Sequence, residues 1–181
     1  MRDPFVERRR TWNAGLRAHF RELEERWNRA HDLSVVHLPP PTIPGAGPPG
    51  LADIGLSDEC LRTLETKRPN LLLIGPSTQV TSLLQLIAPS VAPPIASVRA
   101  ERLTLPEDAI GTLILHDAHR LSPRQQDQLH RWIDVHPLNQ VIATTAEPLF
   151  PLVVRNSFSA ALFFRLDAMS LRIEEVSPEV V

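Results

Sequence analysis

The sequence predicts a three-layer α/β sandwich, a mostly parallel sheet with helices on both faces. Three observations carry this reading. Residues 70–74 (NLLLI), 112–115 (TLIL) and 140–144 (QVIAT) are short apolar runs, the form a strand takes when both its faces are buried. Stretches of helical periodicity separate these runs. Strands alternating with helices return to a sheet in parallel, through crossovers that place helices on its faces. At 181 residues the chain is long enough to bury a core of that kind.

Taken in order, residues 5–31 read as one amphipathic helix within a segment 1–36. Trp12, Leu16, Phe20, Leu23, Trp27 and Ala30 recur at spacings of three or four, which aligns them on one face. Arg8, Arg9, Arg10, Arg17, Glu24, Glu25 and Arg29 occupy the rest. Such a stripe is buried somewhere: on its own domain, on a partner, or on a second copy. Direct nucleic-acid contact through the arginines is not expected, because Glu7, Glu22, Glu24 and Glu25 dilute their charge.

Residues 37–50 form a linker. Six of the chain's 18 prolines fall between Pro39 and Pro49. Their fixed φ angles and missing N–H groups exclude a helix or central strand and favour a semi-rigid spacer. Residues 51–176 then form the α/β domain, with 177–181 as a tail. Ser57 caps a helix to residue 67. Strand 70–74 ends at Gly75 and a helix spans 78–87. Strands follow at 95–98 and 112–115. Ser122-Pro123-Arg124-Gln125 opens a helix to 135, with a cap, proline at the first helical position and Gln at the third. Strands at 140–144 and 169–173 complete the sheet.

Composition excludes several classes. A net charge of −2 supplies no field for nucleic acid or anionic membrane. One cysteine, Cys60, excludes an internal disulfide framework and fits a reducing compartment. The first residues are too charged for a signal peptide, and no apolar run reaches the roughly 20 residues of a membrane span. A soluble, cytoplasmic protein is expected.

A strand ending in glycine and leading into a helix is the setting of a phosphate-binding loop, where helix N–H groups and the helix dipole attract an anion. The motif G-x-x-x-x-G-K-[ST] corresponds here to Gly75-Pro76-Ser77-Thr78-Gln79-Val80-Thr81-Ser82. Gly75 and the hydroxyl of Ser82 match. Val80 replaces the second glycine and Thr81 the lysine, which removes the charge that meets the β- and γ-phosphates. One charge-assisted hydrogen bond contributes about 1.5–3 kcal/mol, so that loss alone costs tenfold or more in affinity.

Downstream blocks carry a resemblance. Gly111-Thr112-Leu113-Ile114-Leu115-His116-Asp117-Ala118 resembles the magnesium segment G-T-L-F-L-D-E-[IVA] of the sigma-54-dependent transcriptional activators, a bacterial branch of the AAA+ ATPases. Leu121, Gln126, Leu129, Arg131 and Ile133 are similar to that family's L-x-x-x-x-Q-x-x-L-x-R-x-[LI]. Val141-Ile142-Ala143-Thr144-Thr145 is similar to V-I-A-A-T. Phe158, Leu162 to Leu166 and Leu171-Arg172-Ile173 resemble F-R-x-D-L-Y-Y-R-L-N-V-x-x-L-R-I, and Gly55-Leu56-Ser57 resembles the opening G-x-S. The resemblance covers about residues 51–174. It implies a P-loop NTPase fold of AAA+ type.

The departures fall on chemistry. The first acid of the magnesium pair is His116, a poor ligand for a hard cation, and Asp117 stands where the family has glutamate. Ala146 occupies the sensor asparagine position and Ser159 that of the first arginine, leaving Arg165. The loop that touches the sigma factor has no counterpart between Ser82 and Gly111, and the helical lid expected after Arg172 is expected to be missing.

The implied protein is therefore a pseudo-ATPase with a regulatory or scaffolding role. Gly75, Ser77, Ser82, Asp117 and Arg165 form a relic nucleotide pocket, with neither ATP nor magnesium expected as cofactor and no catalytic or metal-binding residue. Its partner is expected to be a protein, an AAA+ protein or a second copy, met through Trp12, Leu16, Phe20, Leu23 and Trp27. The alternative is an ATPase completed in trans, with Ser82, Asp117 and Arg165 in a composite site. His116-Asp117-x-His119 lacks the further ligands of a zinc shell, Cys60 reads as a small buried hydrophobe, and the Phe163-Phe164 pair reads as packing.

Overall fold

A computed structural model describes residues 34–38, 58–108 and 110–175. Among these residues six strands form one sheet: β1 (Ser34–Leu38), β2 (Leu71–Ile74), β3 (Ile95–Arg99), β4 (Thr112–His116), β5 (Gln140–Thr145) and β6 (Met169–Glu175). Their order is β1-β6-β2-β5-β4-β3, and every pairing is parallel. The helices are α1 (Asp58–Lys67), α2 (Ser77–Ile87), α3 (Pro123–Val135), α4 (Phe150–Val154) and α5 (Ala160–Leu166).

Alternation along the strands sends side chains to two separate cores. Leu71 and Leu73 of β2, Ile142 of β5, and Leu171 and Ile173 of β6 pack with Cys60 and Leu64 of α1 and Val80, Leu83 and Ile87 of α2. Leu72, Ile74, Leu113, Leu115, Val141 and Ala143 point the other way, against Leu129, Trp132 and Ile133 of α3 and Leu162, Phe163 and Leu166 of α5. This is the three-layer α/β sandwich that the apolar runs predict. Cys60 lies in the first core, and burial raises the pKa of its thiol.

The helix α3 starts where its cap predicts. The hydroxyl of Ser122 accepts the Gln125 N–H at 3.4 Å, and the Gln125 side chain accepts the Ser122 N–H at 2.9 Å. Such a cap satisfies donors that the first turn leaves open.

Strand β1 was not foreseen. The boundary drawn between residues 36 and 37 falls inside it, and its five residues pair with Leu171 to Glu175 of β6. Helices α4 and α5 were also not foreseen. Among the described residues the connection between β3 and β4 has no α-helix. A short 3₁₀ turn, Ala100–Arg102, leads into a loop whose Leu103, Leu105 and Ile110 pack on the α3 side, and the Trp132 indole donates to the Pro106 carbonyl at 2.9 Å. Phe163 is buried, but Phe164 is 55% exposed, so only the first of that pair is a packing position in the core. The N-terminal stripe, Ser57, most of the linker 37–50 and the tail 177–181 lie outside the described residues.

Candidate functional site at the C-terminal edge of the sheet

In a parallel α/β sheet ligands sit beyond the carboxyl ends of the strands. Here that edge carries Gly75 after β2, His116 and Asp117 at the end of β4, Thr145 at the end of β5, and Arg99 at the end of β3.

The β2–α2 junction is only two residues long. Pro76 is the cap of α2, and the Val80 N–H already closes a helical hydrogen bond to the Pro76 carbonyl at 2.9 Å. Three of the four residues between the motif's glycine positions, Ser77 to Gln79, are therefore in the first turn of a helix, and the fourth, Pro76, caps it. Val80, at the second glycine position, is 3% exposed in the core. The hydroxyls that follow are turned onto their own helix: Thr81 Oγ1 donates to the Ser77 carbonyl at 2.8 Å and Ser82 Oγ to the Thr78 carbonyl at 3.2 Å. Gly75 donates its N–H to the Thr145 carbonyl at 3.0 Å, and a Cβ placed on it would lie 2.8 Å from the Ile173 Cβ. Close approach of β6, rather than a phosphate, accounts for the glycine.

Asp117 follows β4 in the left-handed region, with φ 59° and ψ 44°. Its carboxylate pairs with Arg99 at 3.6 Å, with both side chains partly in solvent. His116 Nε2 lies 3.0 Å from Ser97 Oγ. Burial of the ring pushes the His116 pKa below the usual imidazole value, Arg99 adds to the effect, and Asp117 opposes it. His119 and Thr145 meet at 3.2 Å. Because Thr145 Oγ1 donates to the Glu147 carbonyl at 2.6 Å, the ring Nδ1 is the donor in that contact.

Gly75, Ser77, Ser82 and Asp117 thus all lie on α2 or on loops at one edge, but Arg165 does not join them. Its carbonyl accepts the Asn70 side-chain N–H at 2.7 Å, just ahead of β2, and its guanidinium donates to Asp134 near the end of α3 at 2.6 Å. Both partners belong to the opposite, N-terminal edge of the sheet. The expected grouping is corrected on this point, since α5 runs from Ser159 down to that edge. Ser159 caps α5, accepting the Leu162 N–H at 3.4 Å. The pairs Ser97–His116, Arg99–Asp117 and His119–Thr145 were missed. Only strand register, which sets Arg99 beside His116, brings the first two together.

These residues do not fit a magnesium-bound triphosphate. The loop is replaced by helix, no lysine follows it, the Ser82 hydroxyl is bonded to its own helix, and an imidazole stands in place of a carboxylate. Among the described residues no group of three or more His, Cys, Asp or Glu is placed to hold a metal ion.

Other resemblances in sequence prove to be packing. Gln126, 4% exposed, donates to the carbonyls of Leu121 at 2.9 Å and Ser157 at 3.1 Å and accepts the Ser159 N–H at 2.8 Å. A Cβ on Gly111 would lie 2.4 Å from the Ala92 carbonyl oxygen.

The sheet order, the strand–glycine–helix junction and the acid-tipped β4 define the class: a P-loop NTPase domain of AAA+ type. Within it, the chain belongs to the sigma-54 interaction domain family, whose model matches residues 59–176. Among solved structures it is similar to NtrX from Brucella abortus in complex with ATP, at 15% identity over 63% of this chain and 33% of that one, with a TM-score of 0.47. It is also similar to the P-loop NTPase domain of the sigma-54 transport activator from E. coli (18%, 66% and 92%, TM-score 0.48). The Thermotoga maritima RuvB Holliday junction branch migration motor gives 22% identity over 72% of this chain and 48% of that one, with a TM-score of 0.46. The chain spans about a third of the length of that NtrX chain. No curated protein matches it. No described helix is long and apolar enough to cross a membrane.

Proposed function

We propose that this chain is a catalytically inactive member of its family, a pseudo-ATPase that acts by binding a protein partner, either an intact AAA+ protein or a second copy, in a regulatory or scaffolding role. Transcription regulation in a bacterial cytoplasm is the setting the family suggests. The observation that carries the reading is the β2–α2 junction, where a helical turn beginning at Ser77 takes the place of a phosphate loop. Positions that build the fold, such as Gln126 and Gly111, keep family residues, while Val80, Thr81, His116, Ala146 and Ser159 stand where the family's nucleotide-handling residues would be. A triphosphate carries several negative charges, and Thr81 offers no positive charge to meet them.

The test is ATP turnover by the purified chain, alone and with proteins it captures from its host. The reading expects no turnover above background for the chain alone, and any turnover brought by a captured partner to be unchanged by Asp117→Ala. Turnover that appears with a captured partner and disappears on Asp117→Ala would replace it with an ATPase completed in trans.

A further inference from the structure

The N-terminal edge of the sheet, opposite the candidate site, carries exposed apolar surface. Three of the five large apolar side chains that stand exposed among the described residues lie there: Ile95 at the start of β3, Val135 at the end of α3 and Leu138 in the turn that enters β5. Leu138 is 89% exposed and Val135 73%, so neither is a core residue of the single chain. Exposed Pro93, Pro94 and Pro137 extend the apolar area. Hydrogen bonds hold these segments side by side. The Gly111 N–H donates to the Pro94 carbonyl at 2.9 Å, and the Gln140 N–H to the Gly111 carbonyl at 3.0 Å. A contiguous apolar patch of this kind marks an interaction surface.

Two pairs of opposite charge flank that patch. Lys67 ends α1 and Arg68 follows it, just ahead of β2, where the Gln140 side chain donates to the Pro69 carbonyl at 2.7 Å. Glu107 and Asp108 follow Pro106, whose carbonyl accepts the Trp132 indole N–H at the last turns of α3. All four are exposed, and among the described residues none of them forms an ion pair. The basic pair stands on the α1 side at β2, and the acidic pair on the α3 side ahead of β4. β5 and Leu138 lie between them. β2 and β4 are two strand spacings apart, about 10 Å. A twofold axis lying in this edge beside Leu138 therefore sets Leu138 against its own copy. The same axis brings the basic pair of each chain onto the acidic pair of the other, as an isologous interface requires.

We propose that the N-terminal edge of the sheet is a dimer interface with a second copy of this chain, centred on Val135 and Leu138 and held in register by Lys67 and Arg68 against Glu107 and Asp108. The occupant is a second copy because this edge supplies both halves of its own charge complement. A uniformly acidic or basic partner would leave one pair facing like charge. The area agrees. Five largely exposed apolar side chains, at on the order of 80 Å² each, give roughly 400 Å² on one copy. With the charged rim, two copies together bury more than the roughly 1,000 Å² that a specific interface needs. The inference deepens the partner-binding reading, on which it rests, by naming the partner. A dimer mass does not depend on nucleotide, so the two readings fail separately.

The experiment is light scattering on the full chain from about 0.01 to about 1 mM. The expected result is a dimer fraction that rises with concentration. Leu138→Asp, which places a charge at the centre of the interface, is expected to raise the dimer Kd at least about tenfold. Lys67→Glu/Arg68→Glu and Glu107→Lys/Asp108→Lys are each expected to be monomeric over the same range, since each sets like charges against each other. Mixed in equal amounts, with one chain mass-tagged, the two are expected to form a heterodimer, because both contacts are then between opposite charges. A parent chain that is monomeric at every concentration, a dimer that Leu138→Asp leaves intact, or charge-reversed chains that give no heterodimer on mixing overturns the proposal. All five positions are exposed, and the mixing experiment decides the matter should Leu138→Asp fail to fold.

Discussion

Replacing Gln126 by leucine removes three hydrogen bonds at once. Two are donated to the carbonyls of Leu121 and Ser157 and one is accepted from the Ser159 N–H, at 2.9, 3.1 and 2.8 Å. The side chain is almost wholly buried, so water does not replace those partners freely. Each net hydrogen bond contributes about 0.5–1.5 kcal/mol, and leucine fills similar volume, so the expected loss is about 3 kcal/mol. For a folded unit of this size that corresponds to a fall in Tm of roughly 10 °C. Urea unfolding followed by the fluorescence of Trp132, which lies in the core cluster beside α3, measures it. Gln126→Glu separates the roles. Its carboxylate still accepts from Ser159 but faces two carbonyls, so at neutral pH it is at least as destabilised as leucine. It recovers in part as acid protonates it and supplies a donor. A loss below about 0.5 kcal/mol for the leucine variant would refute the claim that this family position is held by architecture.

Gly111→Ala is expected to cost about 2–4 kcal/mol in the same assay, because the new Cβ meets backbone carbonyls of Ala92 and Pro93 at 2.4 and 2.5 Å that no side-chain rotation clears. Arg165→Ala is expected to change stability by less than about 1 kcal/mol, since its bond to Asp134 is solvent-exposed. For His116 the folded state disfavours the protonated ring. Its contribution is complete above the unfolded pKa near 6.5 and declines as pH falls below that value, where the unfolded chain binds the proton more readily. The Tm of the parent is therefore expected to fall more steeply than that of His116→Gln between about pH 6.5 and about pH 5, and parallel curves would contradict this.

Much of the sheet was legible because burial on both faces leaves a plain mark. Leu71 to Ile74 is wholly apolar and wholly buried, and the Ser122–Gln125 box fixes a helix start from four residues. Strand β1 left no such mark. Its five residues adjoin a proline run, and an edge strand is defined by its neighbour rather than by its own composition. Short helices such as α4, five residues long, carry too few turns to show a period. Spacing along the chain also says nothing about which edge of a sheet a helix end reaches, which is why Arg165 was grouped with Gly75. The missing lysine at Thr81 was legible as chemistry, and the expected helix 78–87 already took in most of the loop, the structure starting it one residue earlier at Ser77.

The most direct test of the central claim is isothermal titration of the full chain with Mg·ATP, alongside a Thr81→Lys chain. With the first turn of α2 in the space a phosphate loop would need, neither titration is expected to saturate at millimolar nucleotide, because one restored lysine does not rebuild the loop. Micromolar binding by the parent chain, or by the lysine variant alone, would contradict the account.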